Sequence, residues 1–361
     1  MKQLLPNPEL HNLHVVRGLA AFIVVIFHAK FALWVGGNEY VKAVGLNSVP
    51  DYIFFAFDML SSCGEQCVII FFILSAIVIR HSFQKYRNRL LVFYKIRLIR
   101  IYVPFLLSLI LGISILFLSI NFINPAVYSE SLRNYNLRLV HAADQFSVNQ
   151  VINAVFFTGR GEYAGANFAY WSLGHELIFY LLFPLYMMPR ITGKITLGIV
   201  LIAAFYISGF SIFYYQVFFI AGLLLYDLFM TRNKPLFNPG ISLVLTLVLF
   251  VAINLVLKVW SETIADILTL GLCIVLFDHL LFRPKMKKGV LTGLADISYT
   301  LYLVHLPLLL LYYALISRIT GDLIFFERWP YYSGVVFALL LAVPLYRLIE
   351  RPSIRLLKNM R

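Results

Sequence analysis

The sequence predicts an all-α protein that crosses a membrane about ten times, with both termini in the cytoplasm. Three observations support this fold class. Hydrophobic residues make up 61% of the 361 residues and charged residues only 13%, which is about half the charge of a soluble domain. Apolar runs of bilayer-crossing length recur along the chain. Lysines and arginines collect in alternate loops between those runs.

Each apolar run comes close to the roughly 20 residues that a helix needs to cross a bilayer. Two runs are short, 195–209 and 241–257, and the run 52–79 is long enough to be broken near Ser61 and Gly64. The ten predicted spans are 15–35, 52–79, 101–120, 169–188, 195–209, 211–230, 241–257, 263–282, 293–316 and 331–349.

The net charge of +13 follows from where the basic residues lie. With the N-terminus inside, most of the 30 lysines and arginines fall in cytoplasmic loops, which is the positive-inside pattern. The same distribution argues against nucleic-acid binding, because the charge is divided among several loops and no groove-reading motif accompanies it. Membrane lipids are the expected surroundings.

The chain is predicted to form one membrane domain over 1–352, followed by a basic cytoplasmic tail at 353–361 that lies on the membrane. A long external loop at about 121–168 suits a lid, a glycan-contacting surface or a plain ordered loop. The chain shows no internal repeat, so an inverted-repeat transporter gains no support. Its three cysteines fit small buried residues better than a disulfide framework or a zinc site, and no metal is expected.

The first span contains two polar residues that are unusual inside a bilayer. Arg17 and His28 are eleven residues apart, which places them about 16 Å apart along a helix and on the same face. Arg17 at the cytoplasmic interface has a simple interpretation as a snorkelling anchor. A histidine near mid-membrane is either packed against a hydrogen-bonding neighbour or functional.

The segment WSLGHELIFY opens the fourth span. Trp171 fits an interfacial anchor and Ser172 fits an N-cap. Glu176 enters the apolar region, where a carboxylate requires a cationic or histidine partner. It is either one half of a structural pair or a functional group.

Two further segments carry candidate residues. Lys95, Arg97 and Arg100 lie at the cytoplasmic entry of the third span, either as anchors or as a joint phosphate-binding face. In the ninth span, Tyr299 and His305 precede Pro307. Because proline frees a backbone carbonyl, we expect it to give the His305 imidazole a structural hydrogen bond.

Taken in order, these motifs resemble the integral-membrane acyltransferase family 3, which O-acylates bacterial surface and exported glycans. The family pattern of Arg, ten residues and His is met at Arg17 and His28. RLIRIYVP, WSLGHELIFY, SYTLYLVHLP and a closing Glu-x-Pro follow in the family's order, so the resemblance covers about 15–352. The family's Ser-Gly pair after the aromatic residues of the second span is replaced here by Ser75-Ala76.

The resemblance implies a bacterial inner-membrane enzyme that uses acyl-CoA, acetyl-CoA above all, as donor and a glycan or lipid-linked glycan as acceptor. His28 is then the base or the acyl carrier, and Glu176 orients it. Arg17, with Lys95, Arg97 and Arg100, is expected to bind the phosphates of coenzyme A. Trp171, Ser172, Tyr299 and His305 are expected to contact substrate or to hold the structure.

Two alternative functions and the oligomeric state stay open at this point. The enzyme interpretation includes N-acylation of an amino sugar as well as O-acylation. A transporter of small solutes or lipid-linked glycans is a different class, although the repeats typical of transporters are missing. Assembly into a homo-oligomer is compatible with the sequence.

Overall fold

The computed structural model describes residues 8–86, 89–129, 146–158, 164–187, 211–232, 234–259 and 261–358. Within these ranges the chain forms α-helices, one π-helical turn and two 3₁₀ turns, and it contains no strand. The prediction of an all-α fold is therefore confirmed.

The first seven helices in chain order are α1 Pro8–Leu33, α2 Gly37–Ala43, α3 Val49–Leu60, α4 Gly64–Phe83, α5 Leu90–Leu118, α6 Ala126–Ser129 and α7 Val148–Phe156. The remaining seven are α8 Trp171–Tyr186, α9 Ser211–Met230, α10 Pro239–Val259, α11 Glu262–Leu281, α12 Val290–Thr320, α13 Trp329–Ile349 and α14 Arg351–Lys358. The π turn covers Ser119–Ile123, and the 3₁₀ turns cover Ala164–Ala166 and Phe168–Tyr170.

In the described part of the chain, eight helical segments are long and apolar enough to cross a membrane. This confirms a multi-pass membrane protein. The predicted span 195–209 lies outside the described residues, and the predicted span 169–188 forms α8, which has 16 residues. The cytoplasmic position of the two termini stays a prediction.

The long predicted span 52–79 is interrupted as expected. Helix α3 ends at Leu60 and α4 begins at Gly64. The start of α3 is fixed by a capping box, in which the Ser48 hydroxyl accepts from Asp51 N and the Asp51 carboxylate accepts from Ser48 N at 3.0 Å. Only twelve residues long, α3 is too short to span a bilayer by itself.

The chain divides into two compact units. The first unit consists of Met1–Ala20, Glu65–Ile99 and Ser172–Asp296. Inside it, α4 and α9 pack closely because Gly222 has no side chain: a Cβ there would lie 2.8 Å from the Cβ of Ala76.

The second unit consists of Ala21–Gly64, Arg100–Trp171 and Ile297–Arg361. Its core includes Leu303 and Leu309 of α12, neither of which is exposed at all. The part of the chain that follows α1 is held by backbone carbonyls: Val35 N donates to Phe325 O, and the Trp34 indole donates to Phe326 O, both at 2.9 Å. The prediction of one domain over 1–352 stays a prediction, as does the membrane-surface position of the tail, whose residues Arg351–Lys358 form α14.

Candidate active site

Two histidines meet inside the second unit. His28 lies in the last third of α1 and His305 in the middle of α12. Their ring centroids are 5.1 Å apart, with the ring planes inclined at 41°. His28 is half-buried, whereas His305 is completely buried. We call His28 and His305 the histidine pair.

The hydrogen bonds of His305 define its tautomer. Its Nδ1 lies 2.7 Å from the carbonyl oxygen of Tyr302. A carbonyl only accepts, so Nδ1 carries the proton and Nε2 keeps its lone pair. Nε2 is buried and has no hydrogen-bond partner among the residues that the structure describes. The pair therefore includes a nitrogen that has a lone pair and no hydrogen bond within the described residues.

The expected structural role of Pro307 is corrected by this geometry. Pro307 lacks the N–H that would pair with the carbonyl of Leu303, four residues earlier in the helix. That carbonyl accepts from the Asn167 side chain at 2.6 Å, while His305 bonds to Tyr302 instead. The proline thus frees a carbonyl that accepts a hydrogen bond from Asn167. The His305 ring bonds elsewhere, through Nδ1 alone.

Asn167 belongs to a buried turn, residues 164–170, at the end of the predicted external loop. Gly165 has a φ of 74°, and a Cβ added to Gly112 of α5 would lie 3.2 Å from the Gly165 carbonyl oxygen. Glycine is therefore required on both sides of this contact. Ala166 follows with a φ of 54°, a conformation that costs a non-glycine residue about 1 kcal/mol or more. Such strain is typical of functional sites.

Hydrogen bonds fix the buried turn on both flanks. The Tyr302 hydroxyl donates to the Ala169 carbonyl at 3.0 Å. Tyr170, fully buried, pairs its hydroxyl with the Ser108 hydroxyl at 2.9 Å. The turn therefore reaches α12 one turn from His305. The lid or glycan-contacting role of 121–168 stays a prediction, and residues 130–145 and 159–163 lie outside the described residues.

The other predicted residues of this region have structural contacts. The Tyr299 hydroxyl donates to the Ile101 carbonyl at 3.5 Å. Trp171 is half-buried and begins α8. The expectation that Ser172 is the N-cap is wrong, because Ser172 lies inside α8 and the preceding 3₁₀ turn is capped by Asn167, whose side chain accepts from Ala169 N at 3.3 Å.

In the first unit, Glu176 is the centre of a hydroxyl-lined group. Its Oε1 accepts from Ser75 Oγ at 2.7 Å and also from the Tyr180 hydroxyl. Ser75 is the serine that keeps its place where the family's Ser-Gly pair is changed. Both donors are neutral hydroxyl groups, and both bond to the same carboxylate oxygen. The predicted pairing of Glu176 with His28 stays a prediction.

Of the four predicted coenzyme A residues, Arg97 is the most buried. It is 5% exposed, and its guanidinium donates to Ser82 Oγ and lies 5.4 Å from the Phe93 ring and 5.6 Å from the Tyr180 ring. Lys95 is exposed, and Arg17 and Arg100 are half-buried. The phosphate-binding roles of all four remain predictions.

Sequence reasoning missed a group of polar residues in the second unit, which we call the Lys30 cluster: Lys30, Asp58, Ser61, Arg328 and Tyr331. The Lys30 ammonium donates to Asp58 O at 2.5 Å and to Ser61 O and Ser61 Oγ at 3.0 Å. The Asp58 carboxylate accepts from Arg328 Nε at 2.9 Å and from the Tyr331 hydroxyl. Charged residues at 30 and 58, each inside an apolar run, were the available signal.

The charge on Arg328 is secured by its surroundings. Burial lowers the pKa of Arg328, but the bond to the Asp58 carboxylate outweighs this, so the pKa lies above its ordinary value. The guanidinium also lies 4.1 Å from the centre of the Tyr40 ring, a favourable cation–π distance. The Lys30 cluster therefore keeps its ion pair and joins α1, α3 and the start of α13.

Comparison with known proteins decides the class. A family model described as an acyltransferase domain, acyltransferase family 3, matches residues 10–347, nearly the whole chain. The chain belongs to this family. It is a multi-pass membrane acyltransferase. Neither the curated proteins nor the solved structures gave a significant match.

Membership confirms the family resemblance drawn from Arg17, His28 and the later motifs. Both members of the histidine pair and Glu176 lie within the matched residues of the acyltransferase. In the described ranges, no three His, Cys, Asp or Glu side chains come together as a metal site. The candidate side chains named above offer imidazole, carboxylate and hydroxyl groups.

Proposed function

We propose that this acyltransferase moves a short acyl group, acetyl in the first instance, from acyl-CoA to a hydroxyl of an exported or lipid-linked glycan. The observation that carries the proposal is the histidine pair. An imidazole is the side chain best suited to take a proton from a hydroxyl near neutral pH, and it also forms acyl intermediates. The pair places two of them in ring contact inside the apolar interior.

His28 is the proposed base or acyl carrier. It is the half-buried member of the pair, so an incoming thioester can reach it more readily than it can reach His305. Glu176, with its two hydroxyl donors, is proposed to orient or stabilise a positively charged imidazole, as carboxylates do in catalytic triads.

The donor site is proposed at the cytoplasmic end of the enzyme. Arg17, Lys95 and Arg100 retain exposed or half-exposed side chains, as a phosphate-binding residue requires. Arg97 donates to Ser82 and lies against two aromatic rings. We therefore propose that it both holds this region in shape and binds phosphate. A bacterial inner membrane is the proposed location, because acyl-CoA is cytoplasmic and the acceptor is exported.

Donor chemistry is the first test. Purified enzyme in nanodiscs is mixed with radiolabelled acetyl-CoA and membranes of an exporting strain, and coenzyme A release and label in glycan are measured. We expect His28→Ala to lose transfer by about 10²–10⁴-fold while coenzyme A binding persists. His279→Asn, a half-buried histidine of α11 outside the proposed site, is the matched control. Transfer by His28→Ala at the wild-type rate would refute the proposed role.

A second comparison tests the phosphate contacts. Arg17→Ala is assayed with acetyl-CoA and with acetyl-pantetheine, which lacks the nucleotide phosphates. We expect the variant to raise KM for acetyl-CoA and to leave KM for acetyl-pantetheine unchanged, because only the former offers phosphates to a guanidinium. Equal effects on both donors would place Arg17 outside the phosphate site.

A further inference from the structure

The Nε2 atom of His305 is one of several buried side-chain atoms without a hydrogen-bond partner in the described part of the chain, and it is distinguished by belonging to the ring that contacts His28. It is a strong hydrogen-bond acceptor, it is fully buried, and it has no partner among the described residues. Buried polar atoms are normally paired, and an exception calls for a specific reason. The neighbouring Asn167, which is equally buried, has both ends of its amide occupied.

The other nitrogen of His305 is arranged to favour a base. Nδ1–H donates to the Tyr302 carbonyl at 2.7 Å, and this bond becomes stronger when the ring gains a proton on Nε2 and turns into an imidazolium. The same bond keeps the ring from giving up its Nδ1 proton, which an acyl-imidazole must do to become neutral. His305 is therefore better suited to accept a proton than to carry an acyl group.

We propose that the two histidines divide the chemistry: His28 carries the acyl group, and His305 takes the proton of the acceptor hydroxyl. This rests on the proposed function. It also selects the acyl-histidine route, since a direct transfer needs only one imidazole.

The reaction balances in two steps. In the first, a ring nitrogen of His28 attacks the thioester carbonyl, an N–C bond forms, the C–S bond breaks, and the thiolate leaves with the proton from the other His28 nitrogen. In the second, the acceptor hydroxyl attacks the acyl carbon, an O–C bond forms and the N–C bond breaks. The hydroxyl proton goes to His305 Nε2 and then to the released His28 ring. The net products are ester and free thiol.

Two substitutions distinguish the roles of the two ring nitrogens of His305. The amide nitrogen of His305→Asn lies where Nδ1 was and keeps the bond to Tyr302, but the variant has no Nε2. The amide of His305→Gln reaches the Nε2 position but cannot take up a proton. Both are compared with wild type, His28→Ala and the control His279→Asn after rapid mixing with radiolabelled acetyl-CoA.

We expect His305→Asn and His305→Gln to release about one coenzyme A per enzyme, to accumulate an acyl-enzyme, and to lose steady-state transfer by about 10²–10⁴-fold. His28→Ala gives neither burst nor transfer. Steady-state transfer by His305→Asn at the wild-type rate overturns the inference and leaves the proposed function intact. Loss of the burst in folded His305→Asn also overturns it, since His305 would then act before the acyl group reaches His28.

Wild type provides an independent test if the variants do not fold. Mixed with acetyl-CoA in the absence of acceptor, it must form a stoichiometric acyl-enzyme, which mass spectrometry of proteolytic fragments should locate at His28. An acyl group on another residue, or transfer without any acyl-enzyme, overturns the division of labour. A wild type that transfers no acyl group under any condition refutes the proposed function itself.

Discussion

Helix α1 carries two polar residues, His28 and Lys30, that lie two positions apart and have opposite surroundings. The Lys30 ammonium, 9% exposed, has three acceptors within 3.0 Å. His28 instead faces a second imidazole whose Nε2 has no partner among the described residues. The contrast separates a lysine whose hydrogen bonds hold the structure together from a histidine that lies in ring contact with a second titratable ring.

Both regions lie in the second unit, so the comparison is made within one packed body. The Lys30 ammonium binds the last carbonyls of α3, which a helix end leaves without partners. Asp58 and Arg328 form an ion pair of 2.9 Å. We therefore expect changes in the Lys30 cluster to lower stability and spare chemistry, and changes in the histidine pair to do the reverse.

The largest expected effect is at Asp58. Asp58→Ala removes the nearer of the two carboxylates that pair with the Arg328 guanidinium, at 2.9 Å, and leaves Asp51 at 4.0 Å. Removal of one partner of a buried pair typically costs about 3–5 kcal/mol. The thermal midpoint in detergent should fall steeply, whereas Asp322→Ala, an exposed aspartate in the same unit, should leave it unchanged. An unchanged midpoint in Asp58→Ala would remove the structural side of the comparison.

Lys30→Met is expected to come next. The apolar side chain fills similar space but removes the donor to the Ser61 carbonyl and one of the donors to the Asp58 carbonyl, which still accepts from Ser62 Oγ at 3.1 Å. The change should cost about 1–3 kcal/mol. Transfer activity per folded molecule should remain close to wild type. Lys42→Met, at an exposed surface pair, is the control and should shift stability by less than about 0.5 kcal/mol. Loss of activity without loss of stability would move Lys30 into the chemical region.

Asn167→Ala should affect both properties, since Asn167 joins the buried turn to α12 beside His305. It leaves the Leu303 carbonyl unsatisfied, at a cost of about 1–2 kcal/mol, and it releases the turn from the histidine pair. We expect a moderate fall in the thermal midpoint together with reduced transfer. Asn121→Ala, an exposed asparagine bonded within its own helix turn, should change neither quantity. A purely thermal effect of Asn167→Ala would separate the turn from the site.

The smallest effect is expected from the capping box of α3. The Ser48 hydroxyl holds the pKa of Asp51 below its ordinary value of 3.8, with help from backbone N–H groups and against the effect of desolvation. A carboxyl with a depressed folded-state pKa stabilises the fold above its unfolded pKa and loses that contribution as pH falls through its folded pKa. Asp51→Asn should therefore flatten the stability profile slightly below about pH 4 and little above it. If Asp51→Asn and wild type showed the same dependence of stability on pH in acid, the capping box would contribute nothing to the pH dependence of stability.

Much of the site was predictable from the sequence because the signals were local. Arg17 and His28 lie eleven residues apart in one helix, so a regular spacing placed them. The break between α3 and α4 followed from Ser61 and Gly64 within a run that was too long for one span. The candidate residues named from the motifs include both members of the histidine pair, although His305 was expected to contact substrate or to hold the structure and was not named as a catalytic residue.

The partners of those residues were not predictable, because they depend on contacts between distant segments. Asn167 and Leu303 are 136 positions apart, and Lys30 and Asp58 are separated by a helix and two loops. An asparagine in a loop carries no sign that its amide will bond to the carbonyl freed by a proline. The N-cap assigned to Ser172 failed for a related reason, since a 3₁₀ turn continues directly into α8.

Hydropathy, charge placement and ordered motifs are properties of the linear chain, so they were enough to indicate an all-α membrane enzyme of acyltransferase family 3. Packing in three dimensions was needed to show which polar side chains bond to one another. These bonds depend on the partners that packing brings within hydrogen-bond distance. In an interior without water, those partners are the ones that satisfy a buried polar atom.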